Sequence, residues 1–330
     1  MIRVFLVDDS AFVRRALTRV LAVEPEFQVV GEAASGAEAL ARIAAADPDI
    51  VTLDVAMPGM DGLQLLPALL RWKPSLKVLM ISAHTRDGAD ATVAALAAGA
   101  VDFIDKTTFN VMDLEYLRRE VVDRMKAVVP THQVNGGPPP APARAAAPDW
   151  PDFSGCELCV IGASTGGPAA VQRILQGLPA KFPMPVVVVQ HMPVGFTRPF
   201  AQRLASLSRV RVTEAEDGLR LTPEPSDAKH IPSVDVTMRS AARSRPGKVL
   251  GVLLTGMGED GADGMTTIRA GGGVTIAESE ASCVVFGMPR AAIQRGGAAW
   301  VLSLGEIAEL LARAGRDRGQ PATEPSIQRR

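Results

Sequence analysis

Short runs of consecutive apolar residues recur along this chain, and amphipathic stretches separate them. Up to about residue 125 the runs lie at 3–7, 29–33, 50–53, 78–81 and 102–104, with helical periodicity over 11–23, 37–46, 62–70, 90–98 and 111–125. A strand that is apolar on both faces must be covered on both, and strands separated by helices pair in parallel. The alternation therefore predicts an α/β fold, a parallel sheet between two layers of helices. It resumes at about residue 153, with apolar runs at 158–161, 186–190 and 248–254 and a helical stretch over 169–178. The run at 186–189 is valine throughout and reads as a buried strand. Hydrophobic residues make up 47% of the chain and aromatics only 4%, so both cores must be built from aliphatic side chains.

Between the two patterned regions the periodicity gives way to Pro130, Gly136, Gly137, Pro138, Pro139, Pro140, Pro142 and Pro148 among alanines. Such a stretch cannot form a core and reads as a linker. The expected organisation is a first domain over 1–125, a linker over 126–152, a second domain over 153–315 and a disordered tail over 316–330. A formal net charge of -1 leaves no electrostatic footprint for nucleic acid and no polybasic membrane patch. The first residues reach Asp8 too soon for the apolar core of a signal peptide, and no segment reads as a membrane span. Three cysteines, an odd number, suit a reducing cytoplasm. Cys156 and Cys159 form a C-x-x-C that leads into a strand and has no second pair, which is a weak signal for redox or zinc chemistry.

Chemistry in the second domain centres on Gly162-Ala163-Ser164-Thr165-Gly166, where an apolar strand gives way to a helix. The spacing G-x-S-x-G suits a tight turn that exposes a serine hydroxyl above a sheet, and the following helix would aim free N–H groups at the same spot. Ser164 is the candidate nucleophile; the competing reading is a Gly-rich turn with Ser164 or Thr165 as helix N-cap. His191 ends the valine strand and Asp260 follows the run at 248–254, so in a parallel sheet all three fall on one rim. A serine hydroxyl needs a histidine to take its proton and an acid to hold the imidazole. Rivals are His84, His132 and His230 for the base, and Asp217, Asp235 and Asp263 for the acid. Cys283 sits among apolar residues and reads as an inert buried thiol. The chain order Ser, His, Asp disfavours a standard α/β-hydrolase.

In the first domain Asp8, Asp9, Asp54, Ser82 and Lys106 all fall at the C-terminal ends of apolar runs, where open α/β sheets bind ligands. Crowded carboxylates call for a hard cation such as Mg2+. Asp54 could then attack a phosphoryl group, with Lys106 and Ser82 stabilising the added oxygens. The competing reading makes Asp8, Asp9 and Ser10 helix caps and Lys106 a solvated loop residue.

This first pattern resembles the receiver domain of two-component response regulators. The resemblance implies a flavodoxin-like five-stranded fold, phosphorylation of Asp54 by a histidine kinase, and Mg2+ held by Asp9, Asp54 and the Ala56 carbonyl with help from Asp8. It places Phe103 at the aromatic switch position and Ser82 at the hydroxyl that moves with it. Receivers usually follow the lysine with proline; here Thr107 follows Lys106.

The second domain carries Gly162-Ala163-Ser164-Thr165-Gly166-Gly167-Pro168, Val189-Gln190-His191-Met192-Pro193, Pro232-Ser233-Val234-Asp235, the stretch 254–261 and the stretch 281–289. Together these resemble the signature blocks of the chemotaxis protein-glutamate methylesterase family, CheB, a doubly wound, mainly parallel α/β domain. The resemblance implies hydrolysis of glutamate methyl esters on chemoreceptors, and deamidation of receptor glutamines as a second activity. Ser164 is then nucleophile, His191 base and acid, Asp260 the orienting carboxylate, and the Thr165 and Met257 backbone N–H groups the oxyanion donors, with no cofactor for the esterase. It further implies a cytoplasmic enzyme, peripheral to membrane receptors, inhibited by its receiver until Asp54 is phosphorylated. One departure is large: over 217–232 this chain has a short polar segment where the family carries a longer, tyrosine-containing stretch, and the one tyrosine here is Tyr116. The alternative function is accordingly a phosphorylation-gated receptor-binding protein with an impaired esterase domain. A DNA-binding regulator would need a basic recognition helix after the linker, and none is legible.

Overall fold

The computed structural model describes residues 1–82, 85–106, 114–129, 150–193, 195–215 and 232–317. The chain forms two compact units.

The first is built on β1 (Ile2–Val7), β2 (Phe27–Ala33), β3 (Ile50–Asp54), β4 (Lys77–Ser82) and β5 (Asp102–Asp105), in the order β2-β1-β3-β4-β5. These strands pair in parallel throughout, with Val4 opposite both Val29 and Ile50. This is the flavodoxin-like order, whose reversal between β1 and β3 opens a crevice at the strands' carboxyl ends. The helices are α1 (Ala11–Ala22), α2 (Gly36–Ala46), α3 (Gly62–Trp72), α4 (Arg86–Ala97) and α5 (Leu114–Val128). Local chemistry sets their starts: Ser10, Ser35, Asp61 and Thr85 each accept a backbone N–H of the first turn, and Asp61 with Gln64 completes a capping box. Helix α3 begins against the site, since a Cβ on Gly62 would collide with the Asp54 carbonyl oxygen. Helix α5 continues beyond the expected end at residue 125, because Val128 is still buried and holds the last turn in the core. Residues 126–128 are thus helical.

From residue 150 the elements are β6 (Leu158–Ala163), α6 (Gly167–Gly177), β7 (Val186–Gln190), α7 (Thr197–Leu207), α8 (Val234–Ser244), β8 (Val249–Leu253), α9 (Ala262–Ala270), β9 (Val274–Glu278), α10 (Met288–Gln294), β10 (Trp300–Leu302) and α11 (Leu304–Asp317). The second sheet runs β10-β9-β8-β6-β7, with each of these neighbours paired in parallel. Val160, Val189, Val234, Met238, Leu253, Met265 and Met288 belong to its core, which is aliphatic and methionine-filled. The valine strand differs from its expected burial: Val186, Val187 and Val188 are only half-buried, because β7 ends the strand order and has one neighbour instead of two. The sequence shows the aliphatic run but not its place in the sheet. The linker at 130–149, the tail from 318 and the short segment at 216–231 lie outside the described residues.

Candidate active site

Ser164 is the first residue beyond β6 and His191 the first beyond β7. These strands are neighbours, with Ala163 opposite Gln190, and the His191 N–H donates to the Ala163 carbonyl at 3.0 Å. The backbone of His191 is therefore tied to the residue that precedes Ser164. On the other side of β6, Leu253 of β8 lies opposite Gly162, and the Leu254 N–H donates to the Gly162 carbonyl at 2.9 Å. The loop that leaves β8 there carries Asp260.

The two outer glycines of G-x-S-x-G have different tasks. Gly166, at φ +77°, is the turn glycine, in a conformation that L side chains rarely adopt. Gly162 lies inside β6, and its missing side chain leaves room for Val234, the first residue of α8. That contact brings the N-terminus of α8 to the catalytic rim.

His191 and Asp260 are joined by a 2.8 Å hydrogen bond between Nε2 and Oδ2. The same carboxylate caps α8. Oδ2 accepts the Val234 N–H at 2.7 Å, while Oδ1 accepts the Asp235 N–H at 3.0 Å and the Ser233 hydroxyl at 3.1 Å. A carboxylate on a helix N-terminus meets unsatisfied donors and the positive end of the helix dipole. Burial pushes the Asp260 carboxyl up, but the hydrogen bonds from His191, Asp235 and Val234 outweigh it and hold the group well below the usual carboxylate range. It stays ionised and fixes the imidazole with Nε2 toward the acid.

Among the rival acids, Asp235 is spent on the Gly264 N–H at 2.7 Å and Asp263 on Arg295 at 2.6 Å. Asp217, His84, His132 and His230 lie outside the described residues. The block Pro232-Ser233-Val234-Asp235 stands out in the sequence by its resemblance to a family signature, but that Ser233 and the Val234 and Asp235 amides are donors to Asp260 shows only in the structure.

Met257 lies in the loop after β8, with its side chain exposed. The preceding Gly256 is clamped: its N–H donates to the Val285 carbonyl at 3.0 Å, and its carbonyl accepts the Gly287 and Met288 N–H groups at 3.1 and 2.9 Å. Thr165 follows Ser164 in the turn ahead of α6. Cys283 is half-buried, not fully buried as its sequence setting suggested; its thiol is pushed up by burial and by the Glu278 charge. Cys156 and Cys159 are both buried and form no disulfide, and burial raises Cys159.

In the first unit Asp8 and Asp54 are each 1% exposed, and with exposed Asp9 they present carboxylate oxygens within 4.8 Å of one another. The Lys106 ammonium lies 2.6 Å from Asp54 Oδ2 and 3.2 Å from Asp8 Oδ2. It is an ion-pair partner, not a solvated loop lysine. Asp8 also accepts the Ser10 N–H at 2.9 Å and Asp54 the Ala56 N–H at 3.2 Å. Burial pushes the Asp54 carboxyl up to about 6, opposed by Lys106 and assisted by the Asp8 charge. One ammonium against three carboxylates leaves an excess of hard oxygen donors, which fits Mg2+. The Ser82 hydroxyl is buried and donates to the Gly88 carbonyl at 3.2 Å, and Phe103 is buried on β5. Thr107 lies outside the described residues.

The response regulator receiver domain family matches residues 4–115, and the CheB methylesterase family matches 159–226 and 222–311. A Lawsonia intracellularis protein described as a protein-glutamate methylesterase/protein-glutamine glutaminase is 40% identical over 355 residues, covering 95% of this chain and 99% of the relative. A Bordetella parapertussis protein of the same description is 41% identical, over 96% of this chain and 98% of its own. The crystal structure of the Thermotoga maritima CheB methylesterase catalytic domain is 39% identical over 48% of this chain and 98% of that chain, with a TM-score of 0.45. Identity of this level along nearly the whole of both chains, together with the paired family matches, establishes that this chain belongs to the CheB methylesterase family, with a response regulator receiver domain ahead of the esterase domain.

Proposed function

We propose that this chain hydrolyses glutamate methyl esters on chemoreceptors through Ser164, His191 and Asp260, under control of phosphorylation at Asp54. The observation that carries the reading is the Asp260 carboxylate, fixed on the N-terminus of α8 and bonded to His191, whose own backbone is tied to the residue before Ser164. In the reaction the Ser164 hydroxyl attacks the ester carbonyl while Nδ1 of His191 takes its proton, and Asp260 stabilises the imidazolium. The oxyanion is received by the Thr165 and Met257 amides. The tetrahedral intermediate collapses to an acyl-enzyme, and methanol leaves with the proton from His191. Water, deprotonated by His191, then attacks the acyl group and releases the glutamate carboxylate and Ser164. An amide substrate would follow the same steps with ammonia as the leaving group, which is the form a glutaminase activity would take.

In the receiver, Asp54 takes the phosphoryl group from a histidine kinase, and Lys106 and Ser82 contact the added oxygens. Asp8, Asp9, Asp54 and the Ala56 carbonyl are the groups that would hold Mg2+, which would supply positive charge against the phosphoryl oxygens. Phe103 is the aromatic switch residue. The receiver is assigned to 1–128, three residues beyond the expected boundary at 125 because α5 runs to Val128, with the rest of the expected 126–152 stretch as linker and the esterase over 153–315. Among the described residues no helix is long and apolar enough to cross a membrane. The proposed place of action is the cytoplasm, on the chemoreceptors' cytoplasmic parts.

The test is methanol release from methylated receptor membranes, with and without Mg2+ and a small phosphodonor, using Ser164→Ala as the blank and Asp54→Asn as the unphosphorylatable control. Release should depend on Ser164, rise with phosphodonor in the wild type, and stay at its basal level in Asp54→Asn. Release equal to the blank, from folded protein, would refute the esterase assignment.

A further inference from the structure

Two backbone amides at the start of α10 converge on one oxygen. The Gly256 carbonyl accepts the Gly287 N–H at 3.1 Å and the Met288 N–H at 2.9 Å, and the next residue, Pro289, has no N–H to offer. Gly256 is held at its other end as well, since its N–H donates to the Val285 carbonyl at 3.0 Å. The partners are themselves anchored. Met288 is fully buried in the core of the second sheet, and Val285 is buried too.

This contact depends on the absence of a side chain at Gly287. Its φ is −101°, so no left-handed conformation calls for glycine there. Space does. A Cβ at this position would stand 2.6 Å from the Gly256 oxygen, 3.0 Å from the Gly258 nitrogen and 3.2 Å from the Gly258 oxygen. All three are backbone atoms of the loop that carries Met257, and a backbone oxygen cannot swing aside as a side-chain tip can. The peptide that bears it would have to turn.

That peptide joins Gly256 to Met257. In a planar trans peptide the N–H points opposite to the carbonyl. With the Gly256 carbonyl clamped on the two amides, the Met257 N–H is aimed away from α10, and two donors on the carbonyl also polarise the peptide and strengthen that N–H as a donor. The root of the loop lies beside the Ser164 turn, because the Leu254 N–H is bonded to the Gly162 carbonyl of β6.

We propose that Gly287 is a positioning residue of the esterase: by leaving room for the Gly256 carbonyl on the first amides of α10, it aims the Met257 N–H at the developing oxyanion. The inference rests on the assignment of Met257 as an oxyanion donor. A donor that misses its oxygen is lost in the transition state, while the ground-state ester, which needs it less, binds as before.

The experiment compares full-length wild type with Gly287→Ala and Ala292→Gly by steady-state methanol release from methylated receptor membranes, with Ser164→Ala as the blank and thermal melting as the check on folding. The added methyl turns the peptide, so in Gly287→Ala kcat should fall on the order of 100-fold while KM moves less than about threefold. Ala292→Gly loosens the same helix from a buried position away from Gly256. It should lower the melting temperature and keep kcat within about threefold. Incorporating the α-hydroxy acid of methionine at Met257 replaces the N–H by an ester oxygen and keeps the side chain; with the donor itself gone, kcat should fall at least as far as in Gly287→Ala. If Gly287→Ala does not fold, the same replacement at Met288 removes one of the two bonds to the Gly256 carbonyl and should lower kcat by about tenfold at unchanged KM. A folded Gly287→Ala or Met288 ester protein with wild-type kcat would overturn the proposal. So would an Ala292→Gly variant that loses as much kcat, or losses that appear in KM and not in kcat. A Met257 ester with wild-type kcat would refute the donor assignment, and the inference with it, while leaving the triad in place. Wild-type release no greater than the Ser164→Ala blank would instead refute the triad itself.

Discussion

Replacing Gly162 by alanine would place a methyl group in space that Val234 already fills. The new Cβ would stand 2.9 Å from Leu253 Cδ1 and 3.1 Å from Val234 Cγ2, and closer still to Val234 Cγ1, where carbon pairs normally rest at about 3.5–4.0 Å. Neither side can yield freely. Gly162 is paired with Val189 and Leu253, and Val234 is fully buried with Gly261, at φ +95°, on its other flank, where an added Cβ would lie 2.7 Å from Val234 Cγ1. Overpacking of this kind costs about 1–3 kcal/mol, or roughly 2–12 °C in melting temperature for a domain of this size. The strain falls on the residue whose amide donates to Asp260, so a shift of a few tenths of an ångström in α8 moves the carboxylate and with it the imidazole. We expect kcat to drop on the order of tenfold or more at nearly constant KM. Melting curves and methanol release measure the two effects together. Val234→Ala removes two of the three crowding methyls and leaves Leu253 Cδ1, so the double variant should be more stable than the sum of the single effects by about 1 kcal/mol. A Gly162→Ala protein that melts within a degree of wild type and turns over normally would refute the packing argument, as would strict additivity in the double variant.

Asp260→Asn keeps the size of the side chain but loses the charge that orients His191, so kcat should fall by about three to four orders of magnitude in a folded protein; a loss under tenfold would mean that another acid serves. The same carboxyl has a depressed pKa in the folded state, so its contribution to stability is complete above its unfolded value near 3.9 and is lost as pH falls through the folded value. The stability difference between wild type and Asp260→Asn should accordingly be constant at neutral pH and shrink under acid titration below about pH 4, as followed by denaturant unfolding. A difference that grows on acidification would contradict the assigned direction.

Much of this molecule is legible in the chain because the signals are local. Apolar runs separated by helical periodicity announce two parallel α/β units, and the polar residues at the ends of the runs, Asp8, Asp54, Ser164 and His191, stand at the ends of strands in the structure. Caps such as Ser10 and Asp61 act within a turn of their own positions. Tertiary structure decided what depends on distant partners. Asp260, and not Asp235 or Asp263, is the carboxylate that the structure bonds to His191, and Ser233, Val234 and Asp235, more than twenty residues upstream, offer it their donors. Which imidazole nitrogen faces the acid, why Gly162 is a glycine inside a strand, and why β7 is half-exposed are likewise set by neighbours far away in the sequence. Periodicity reports which face of an element is buried; it carries no information about which hydrogen-bonding group from another part of the chain will arrive there, and the chemistry of this site is made of those arrivals.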